Sequence, residues 1–416
     1  MRRPIPLIIP LVPVLLLAAC TDEPQLTGLG GVRREELVVT IGQFGDSLPG
    51  ISASDLLLFR RGRYLFQKRF TQAKGLGPTF NDSSCAKCHG EVTDPLTETV
   101  EGTVFTTSNH RDTHFTRLNS DESCSTLANL GGFVRQDLST NWLQQYTDFD
   151  SGEPLPTSSH QTALRSTPDL FGFGLIEVIP DAAILARADP NDADQDGISG
   201  RAHMVGNRVG RFGRKATSAD LDAFNIRALL HEMGMTTSLD STVENSIGSW
   251  VVPAADTSPP SVDRTPGPEL DDLDLASLNA YIRFLAPPPS LSPHDSAGLA
   301  LFTSTGCAKC HTTEAYTTVS STAALDGQPV RPFSDFLLHD MGGTGDICLL
   351  DASPTEFRTE PLMGVRYMTV FMHDGSATSI HQAILQHGGE ADAVRTSYNN
   401  LTSPQRDALI AYVNTL

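Results

Sequence analysis

The residues with the clearest chemistry stand in two copies of the pentapeptide Cys-Ala-Lys-Cys-His. The copies contribute Cys85, Cys88 and His89, and then Cys307, Cys310 and His311. Two residues between the cysteines allow both sulfurs to form thioethers with one porphyrin, and the following histidine is placed to ligate its iron. Redox-active thiol pairs and zinc sites rarely carry this trailing histidine twice. The motifs therefore predict two covalently attached c-type haems.

The ligand on the other face of each iron decides between electron transfer and catalysis, because an iron with an open position can bind peroxide. The candidates in the C-terminal half are Met372, His373, His381 and His387. Of these, we expect His373 to form hydrogen bonds at the domain interface. The candidates in the N-terminal half are His110, His114, His160, His203 and His231. His110 and His114 are favoured slightly because they fall in an inserted region, and an open position is equally compatible with the sequence.

An acidic loop has the spacing of calcium ligands. Asp192, Asp194 and Asp196 alternate with other residues, and Gly197 permits a sharp turn around a hard cation. Asp189 can supply a further oxygen. The loop is not an EF-hand, because its twelfth position is histidine rather than a bidentate glutamate. We expect one calcium ion here, with a solvated acidic turn as the alternative.

Two of the seven cysteines, Cys124 and Cys348, belong neither to the haem motifs nor to the N-terminal segment. In an oxidising compartment they can pair and link the two halves of the chain, or they can remain free thiols. The sequence leaves both possibilities open.

Helices are predicted before each haem motif. Apolar residues recur at helical spacing over Leu56–Phe70, and Gly75 follows as a breaker. A shorter helix over Asp295–Phe302 precedes the second motif, with Gly306 as its breaker. A helix, a turn and an attachment site in this order are typical of the opening of a cytochrome c domain.

Each half also closes on an amphipathic helix. The first is predicted over Asp274–Leu285, before a run of three prolines that terminates it. The second is predicted from Pro404 to Leu416, with Ser403 as N-cap. The sequence therefore predicts a mainly α fold of two cytochrome c-like domains, 42–289 and 290–416. The first is enlarged by loops and short strands over 90–160, with strand-like residues at Val100–Thr107.

The N-terminus is typical of an export signal. Arg2 and Arg3 precede an apolar run that is too short to span a bilayer comfortably. The run ends in the lipobox-like Leu-Ala-Ala-Cys, so residues 1–19 are predicted to be removed and Cys20 to be lipidated. An ordinary signal peptide with a chance cysteine is the alternative. We expect a tether over 20–41 and an extracytoplasmic protein, held to the membrane only by its lipid anchor, on the outer membrane facing the periplasm.

The net charge of -19 restricts the partners. A chain this acidic is repelled by the phosphates of nucleic acids and by acidic membrane surfaces. A redox partner protein with a basic face is attracted instead. We expect such a partner as electron donor.

Four further stretches resemble the di-haem oxidoreductase family, often called thiol oxidoreductase-like and related to bacterial di-haem cytochrome c peroxidases. They are Gly75–Asn81, Phe171–Glu177, Asp194–Gly213 and Met372–Glu390. Together with the haem motifs they cover most of residues 55–416. The resemblance implies the same two-domain cytochrome c-like fold and redox chemistry at two haems.

The resemblance also implies roles for particular residues. In the peroxidase relatives the distal ligand follows a Phe-His-Ser-Gly-like motif by twelve residues, and the same count from Gly375 gives His387, with Met372 as the alternative. Glu177 corresponds to a segment that lines the peroxidatic haem, so we expect it to move the proton of bound peroxide. Arg165 and Arg211 are candidates for the haem propionates. The relatives also hold calcium between their haems.

These observations lead to a functional prediction. We expect a di-haem enzyme in which the C-terminal haem receives electrons and passes them to the N-terminal haem, where a small oxidant such as peroxide is reduced. The alternative is a non-catalytic electron-transfer lipoprotein with both irons six-coordinate. A third hypothesis is a lipid-anchored binding or assembly protein that keeps haem as structure.

Overall fold

The computed structural model describes residues 45–90, 110–128, 132–140, 144, 155, 161–240, 268–288, 296–343 and 345–416. The predicted signal peptide, lipidation site, tether and Val100–Thr107 strand lie outside these residues, as does the predicted domain boundary. None of the helices within the described ranges is long and apolar enough to cross a bilayer.

Helices are the main regular structure of the described residues. Their bounds are α1 Ala53–Gln67, α2 Cys85–His89, α3 Phe173–Glu177, α4 Asp181–Leu185, α5 Leu221–Met233, α6 Asp272–Phe284, α7 Ser296–Thr305, α8 Ile380–Gln386, α9 Asp392–Asn399 and α10 Ser403–Val413. The helices predicted before each haem motif and at the end of each half are therefore present as α1, α7, α6 and α10.

The strands are short and antiparallel. Their bounds are β1 Thr79–Phe80, β2 Arg111–Leu118, β3 Cys124–Ser125, β4 Leu138–Ser139, β5 Gln161–Ser166, β6 Met204–Val205, β7 Arg208–Val209, β8 Tyr316–Thr317, β9 Pro329–Val330, β10 Leu338–Asp340 and β11 Glu356–Arg358. β2 lies between β3 and β5, and the remaining pairs are β1 with β4, β6 with β7, β8 with β9 and β10 with β11. Strands β2 and β3 of the three-stranded sheet lie within the predicted insertion over 90–160, and β5 follows it directly.

The first half is built on the crossing of α1 and α6. Gly62 makes this crossing close: a Cβ added there would lie 1.9 Å from the carbonyl oxygen of Ser277. Phe59 and Phe66 of α1 pack on the buried ring of Tyr281, with centroids 5.2 and 5.1 Å away. This crossing anchors the apolar core beside the first haem motif.

The second half repeats the construction with α7 and α10. A Cβ on Gly298 would lie 2.3 Å from the Cβ of Tyr412, whose ring packs on Phe302. Ser403 was predicted to cap α10, but the structure places Thr402 at the N-cap. The Thr402 amide and hydroxyl both donate to Oε1 of Gln405, at 2.9 and 2.8 Å. This pairing with Gln405 explains the shift of one residue.

Backbone hydrogen bonds join the two halves. The amide of Leu338 in β10 donates to the carbonyl of Arg201 at 2.8 Å, and the amide of Arg201 donates back to Leu338 at 3.1 Å. Cys124 and Cys348 form a disulfide between the inserted sheet and the C-terminal half, which resolves the two alternatives left open by the sequence. The main apolar core also includes residues from beyond the proline run, such as Phe336.

Candidate functional site in two cavities

The first pentapeptide forms the short helix α2, and a backbone carbonyl fixes the orientation of its histidine ring. Nδ1 of His89 donates to the carbonyl oxygen of Pro168 at 3.0 Å, which leaves Nε2 available to a metal. Burial lowers the pKa of His89 and keeps its ring neutral, the form that ligates iron. Neither Cys85 nor Cys88 forms a disulfide with another cysteine that the structure describes, which leaves both sulfurs for covalent attachment.

The second pentapeptide follows α7 through Gly306, whose φ of 104° supplies the left-handed turn predicted from the sequence. Nδ1 of His311 donates to the carbonyl oxygen of Phe333 at 2.9 Å. Burial lowers the pKa of His311 to about 4. Both motif histidines are therefore neutral and oriented in the same way by a distant backbone carbonyl.

Each motif lies on the wall of its own cavity. The N-terminal cavity, of about 210 Å³, contains Cys85, Cys88 and His89 in its lining. The C-terminal cavity, of about 230 Å³, contains Cys307, Cys310 and His311. Most of both linings is apolar, and several arginines interrupt them. A flat apolar ring with carboxylate substituents, such as haem, matches this combination of apolar walls, thiols, imidazole and guanidinium groups.

The C-terminal cavity brings the predicted distal ligands together. His387 and Met372, the two alternative distal ligands predicted for the same iron, both line it. Nδ1 of His387 donates to the carbonyl oxygen of Ala383 at 2.7 Å, so its Nε2 is the nitrogen available to a metal. This is the same arrangement as in the motif histidines.

The other two candidates of this half have separate contacts. His373 also lines the cavity, and its carbonyl accepts the amide of Ser166 at 2.8 Å across the junction between the halves. Its ring packs on Phe357. His381 hydrogen-bonds through Nδ1 to the hydroxyl of Tyr398 at 2.7 Å and is not among the cavity-lining residues. His373 thus lies at the interface, as expected from the sequence.

The N-terminal cavity brings two of the candidate histidines together, His114 on β2 and His231 on α5. The ring of Phe133 lies between them, with centroid distances of 5.8 and 5.4 Å. Within the part of the chain that the structure describes, Nδ1 of His114 is buried without a hydrogen-bond partner. Burial lowers the pKa of His114 well below its ordinary value and that of His231 to about 4. Both rings are neutral at neutral pH.

The remaining histidines of this half are engaged elsewhere. His110 pairs with Asp112 at 2.6 Å, and this hydrogen bond raises its pKa. His203 is buried, donating through Nδ1 to the carbonyl of Lys215 and pairing through Nε2 with Asp351. His160 lies outside the described residues. Neither His110 nor His203 is in the cavity lining.

Glu177, predicted to act on bound peroxide, has a different environment. Its carboxylate pairs with Nε of Arg283 at 2.7 Å and accepts the backbone amide of Leu221 at 2.8 Å. It is not among the described residues that line either cavity. This geometry does not support a catalytic base. Glu177 instead ties the end of α3 to the start of α5 and to α6, contacts that depend on tertiary packing.

The arginines proposed for haem propionates both line the N-terminal cavity. Nη1 of Arg211 donates to the carbonyls of Glu177 and Ile179, and Nη2 pairs with Asp181. Arg165 pairs with the fully buried carboxylate of Asp346 at 2.7 Å. All three nitrogens of Arg211 are therefore engaged within the protein, whereas Arg165 uses Nε and Nη2 for Asp346.

The acidic loop is partly assembled as predicted. Carboxylate oxygens of Asp189, Asp192 and Asp194 lie within 4.8 Å of one another. Asp196 is directed elsewhere: its carboxylate pairs with Nζ of Lys309 inside the second pentapeptide, at 2.9 Å. The loop therefore contacts the C-terminal haem motif.

Sequence reasoning missed a buried carboxylate–imidazole–carboxylate group beside Cys310. His339 bonds Asp335 at 3.0 Å through Nε2 and Glu390 at 2.8 Å through Nδ1. Burial opposes protonation of this ring, but its hydrogen bonds with Asp335, Cys310 and Glu390 outweigh it and raise the pKa of His339. Two signals in the sequence could have indicated this group. Asp335 and His339 are four residues apart, and Glu390 belongs to a stretch that resembles the family.

A comparison with curated proteins found no match. Among solved structures, a xenon-pressurised hydrazine synthase from Kuenenia stuttgartiensis is 16% identical with a TM-score of 0.41, over 99% of this chain and 100% of that chain. A MauG-like protein associated with microbial copper homeostasis is 14% identical with a TM-score of 0.38, over 91% and 94%. A variant of the diheme peroxidase BthA from Burkholderia thailandensis is 17% identical with a TM-score of 0.28, over 86% and 85%.

The family comparison covers more than half of the chain. Residues 155–416 match the family described as "Di-haem oxidoreductase, putative peroxidase". The match includes the second pentapeptide, the acidic loop and the stretch from Met372 to Glu390. The chain therefore belongs to the di-haem oxidoreductase family.

Proposed function

We propose that the chain is an exported di-haem c-type oxidoreductase that reduces peroxide in its N-terminal cavity with electrons received through its C-terminal cavity. Hydrogen peroxide then takes up two electrons and two protons and leaves as two water molecules. The observation that carries this proposal is the repeated geometry of the two cavities. Each has a Cys-x-x-Cys-His motif on its wall and a histidine whose Nδ1 is held by a backbone carbonyl.

The motif residues have distinct roles in this proposal. Cys85 and Cys88 hold one haem by thioether bonds, and Cys307 and Cys310 hold the other. A haem supplies an iron that accepts and donates single electrons and, where a coordination position is open, binds peroxide. The carbonyls of Pro168 and Phe333 hold the two histidine rings through Nδ1, so that Nε2 of each would be the nitrogen that ligates iron.

In the C-terminal cavity we assign the distal position to His387. Its Nδ1 is held by Ala383, which fixes the ring and leaves Nε2 free for iron. Met372 lines the same cavity and is the alternative. Two histidine ligands leave no open position, so this cavity is suited to electron entry.

In the N-terminal cavity we assign the handling of the peroxide proton to His114 in place of Glu177. Its neutral ring lines the cavity, and its buried Nδ1 has no hydrogen-bond partner among the described residues. A neutral imidazole accepts a proton from one peroxide oxygen and returns it to the other, which general acid–base catalysis requires.

The test of this assignment is peroxide turnover by the holoprotein with a reduced small cytochrome as electron donor. Replacement of His114 by Ala should lower turnover per bound haem by about 10²-fold or more, the usual contribution of a positioned acid–base group. His110→Ala is the matched control, since His110 lies on the same segment but outside the cavity lining. Equal turnover in the two variants would remove His114 from the mechanism.

The alternative is a non-catalytic electron-transfer protein, here called the carrier, in which both irons are six-coordinate. His114 and His231 line the N-terminal cavity, and ligation of iron by either ring would favour this alternative. Electron paramagnetic resonance of the half-reduced protein distinguishes the two functions. A high-spin ferric signal that peroxide removes supports the enzyme. A low-spin ferric signal that peroxide leaves unchanged supports the carrier.

We also propose one calcium ion at Asp189, Asp192 and Asp194, whose carboxylates are already close together. A chelator should then shift the absorption spectrum of the C-terminal haem, because the same loop holds Lys309 through Asp196. No spectral or stability change after chelation would count against the ion.

The proposed cellular location rests on the sequence of the N-terminal segment alone. We propose removal of residues 1–19, lipidation of Cys20 and anchoring to the outer membrane on its periplasmic side. Replacing Cys20 by Ser should move the protein from the membrane fraction to the soluble fraction. The acidic surface fits a basic-faced electron donor, and raised salt should then slow reduction by that donor.

A further inference from the structure

The wall between the two cavities contains an arginine pair. Within the described residues the two linings share Arg214, Arg358 and Pro361. Arg214 precedes α5 in the N-terminal half, and Arg358 ends β11 in the C-terminal half. The amide of Arg358 donates to the carbonyl of Arg214 at 2.9 Å, so the two backbones are directly joined.

Both guanidinium groups converge on one carboxylate oxygen. Oε2 of Glu360 accepts from Nη1 of Arg214 at 2.8 Å and from Nη2 of Arg358 at 2.7 Å. Arg214 also donates to the carbonyl of Ser166, and Nε of Arg358 donates to the carbonyl of Gly213 at 2.9 Å. These bonds hold both side chains in place at the wall. We call Arg214, Arg358 and Glu360 the wall cluster.

The wall cluster carries more positive than negative charge. One carboxylate faces two guanidinium groups, and the side chains of Arg214 and Arg358 are only 11% and 4% exposed. Asp169 lies within electrostatic range, but burial and the Glu360 carboxylate raise its pKa to about 7, so it is only partly ionised at neutral pH. A buried positive charge without a full counter-charge is costly, which makes this wall a site for an anion.

Haem brings such anions. Its propionates are carboxylates, and a guanidinium group carries five N–H donors, more than the bonds within the wall cluster use, so Arg214 and Arg358 keep N–H groups for a further anion. A buried positive charge close to iron also stabilises the reduced form, because reduction removes one positive charge from the metal. Because the wall cluster borders both cavities, its charge would stabilise the reduced form of an iron in either one.

We propose that the wall cluster binds propionates of both haems and sets both reduction potentials together. This proposal rests on the proposed function, which has one haem in each cavity. Arg214 and Arg358 are positioning residues in this account, since they act on the irons through charge and through the propionates. Other arginines belong to one cavity alone: Arg227 lines only the N-terminal cavity and Arg395 only the C-terminal one.

The test is a spectroelectrochemical titration of the holoprotein, with haem content measured in every variant. Arg214→Gln should move both midpoint potentials to more negative values, and Glu360→Gln should move both to more positive values. A purely structural effect of losing the hydrogen bonds around Glu360 would shift both variants in the same direction. Arg227→Gln and Arg395→Gln are the matched controls, each expected to move one potential.

Other outcomes overturn the proposal. If Arg214→Gln binds two haems but moves one potential or neither, the cluster does not serve both cavities. The same conclusion follows if Glu360→Gln shifts the potentials in the same direction as Arg214→Gln. Arg214→Lys retains the charge and should keep both potentials closer to wild type than Arg214→Gln does. Wild-type protein without two haems would instead contradict the proposed function itself.

Discussion

Gly62 on α1 lies directly against the carbonyl of Ser277 on α6, and Gly298 on α7 lies against Tyr412 on α10. In both halves a glycine allows the helix before a haem motif to cross the helix that closes the half. The wall of each cavity depends on this crossing, since α2 follows α1 and the second pentapeptide follows α7.

Replacing Gly62 by Ala should destabilise the fold by about 1–3 kcal/mol, because the new Cβ would overpack the crossing. The contact is with backbone, 1.9 Å from the Ser277 oxygen, so no side-chain rotation relieves it. Gly343→Ala is the control, because apart from its chain neighbours no described residue has an atom within 4 Å of its added Cβ. Equal denaturant midpoints for the two variants would show that the crossing is not tight.

Asp346→Asn should lower the free energy of unfolding by about 3–5 kcal/mol, since it leaves two buried cations without their shared anion. Asp346 pairs with Arg165 at 2.7 Å and with Lys215 at 3.3 Å, and the side chains of Asp346 and Lys215 are 0% exposed. Burial opposes ionisation of Asp346, but the two cations outweigh it and lower its pKa to about 2. Its stabilising effect is complete above the ordinary aspartate range and is lost as the pH falls towards 2.

Denaturant unfolding between acidic and neutral pH measures this effect. Asp392→Asn is the control, because Asp392 forms a solvent-exposed pair with Arg395 that contributes about 1 kcal/mol or less. A similar small loss in both variants would contradict the role assigned to Asp346.

Asp169→Asn should stabilise the protein above neutral pH. Burial and the nearby Glu360 raise the pKa of Asp169 to about 7 from an ordinary 3.8. The folded state therefore binds this proton more tightly, and wild-type stability falls as the pH rises from about 4 to about 7. The difference between Asp169→Asn and wild type should be small at the acidic end and reach a few kcal/mol above neutrality.

Unfolding curves at several pH values check this prediction, with the exposed Asp407→Asn as control. A difference between Asp169→Asn and wild type that is independent of pH would show that Asp169 does not titrate in this range.

Glu177→Gln should reduce stability by about 1–3 kcal/mol while peroxide turnover per bound haem is retained. The carboxylate bonds Arg283 and the amide of Leu221 and lies outside the lining of the cavities. Turnover is measured on protein shown by circular dichroism to be folded. A sharp loss of turnover in folded protein would restore Glu177 as a catalytic residue.

Local patterns predicted the parts of the site that are local in sequence. The pentapeptides, the Gly306 turn and the helices α1, α6, α7 and α10 follow from spacing, breakers and apolar periodicity within short segments. His387 was implied by the family resemblance rather than by a local pattern, and it lines the same cavity as His311. These features need no knowledge of which distant segments meet.

Features that depend on distant contacts were missed or misplaced. Glu177 follows a glycine-rich stretch in sequence, but its partner Arg283 is supplied by α6. Arg214 and Arg358 come from different halves, and nothing in either local sequence indicates that they share Glu360. Tertiary packing decides which polar groups reach a cavity, and a single sequence does not contain that information.

The account depends most directly on covalent attachment of haem at both pentapeptides. Intact-mass spectrometry of protein produced in a host that matures c-type cytochromes should show the polypeptide mass plus two haems. Cys85→Ala with Cys88→Ala, and Cys307→Ala with Cys310→Ala, should each lose one haem and keep the other. A wild-type mass equal to the bare polypeptide would contradict the central claim.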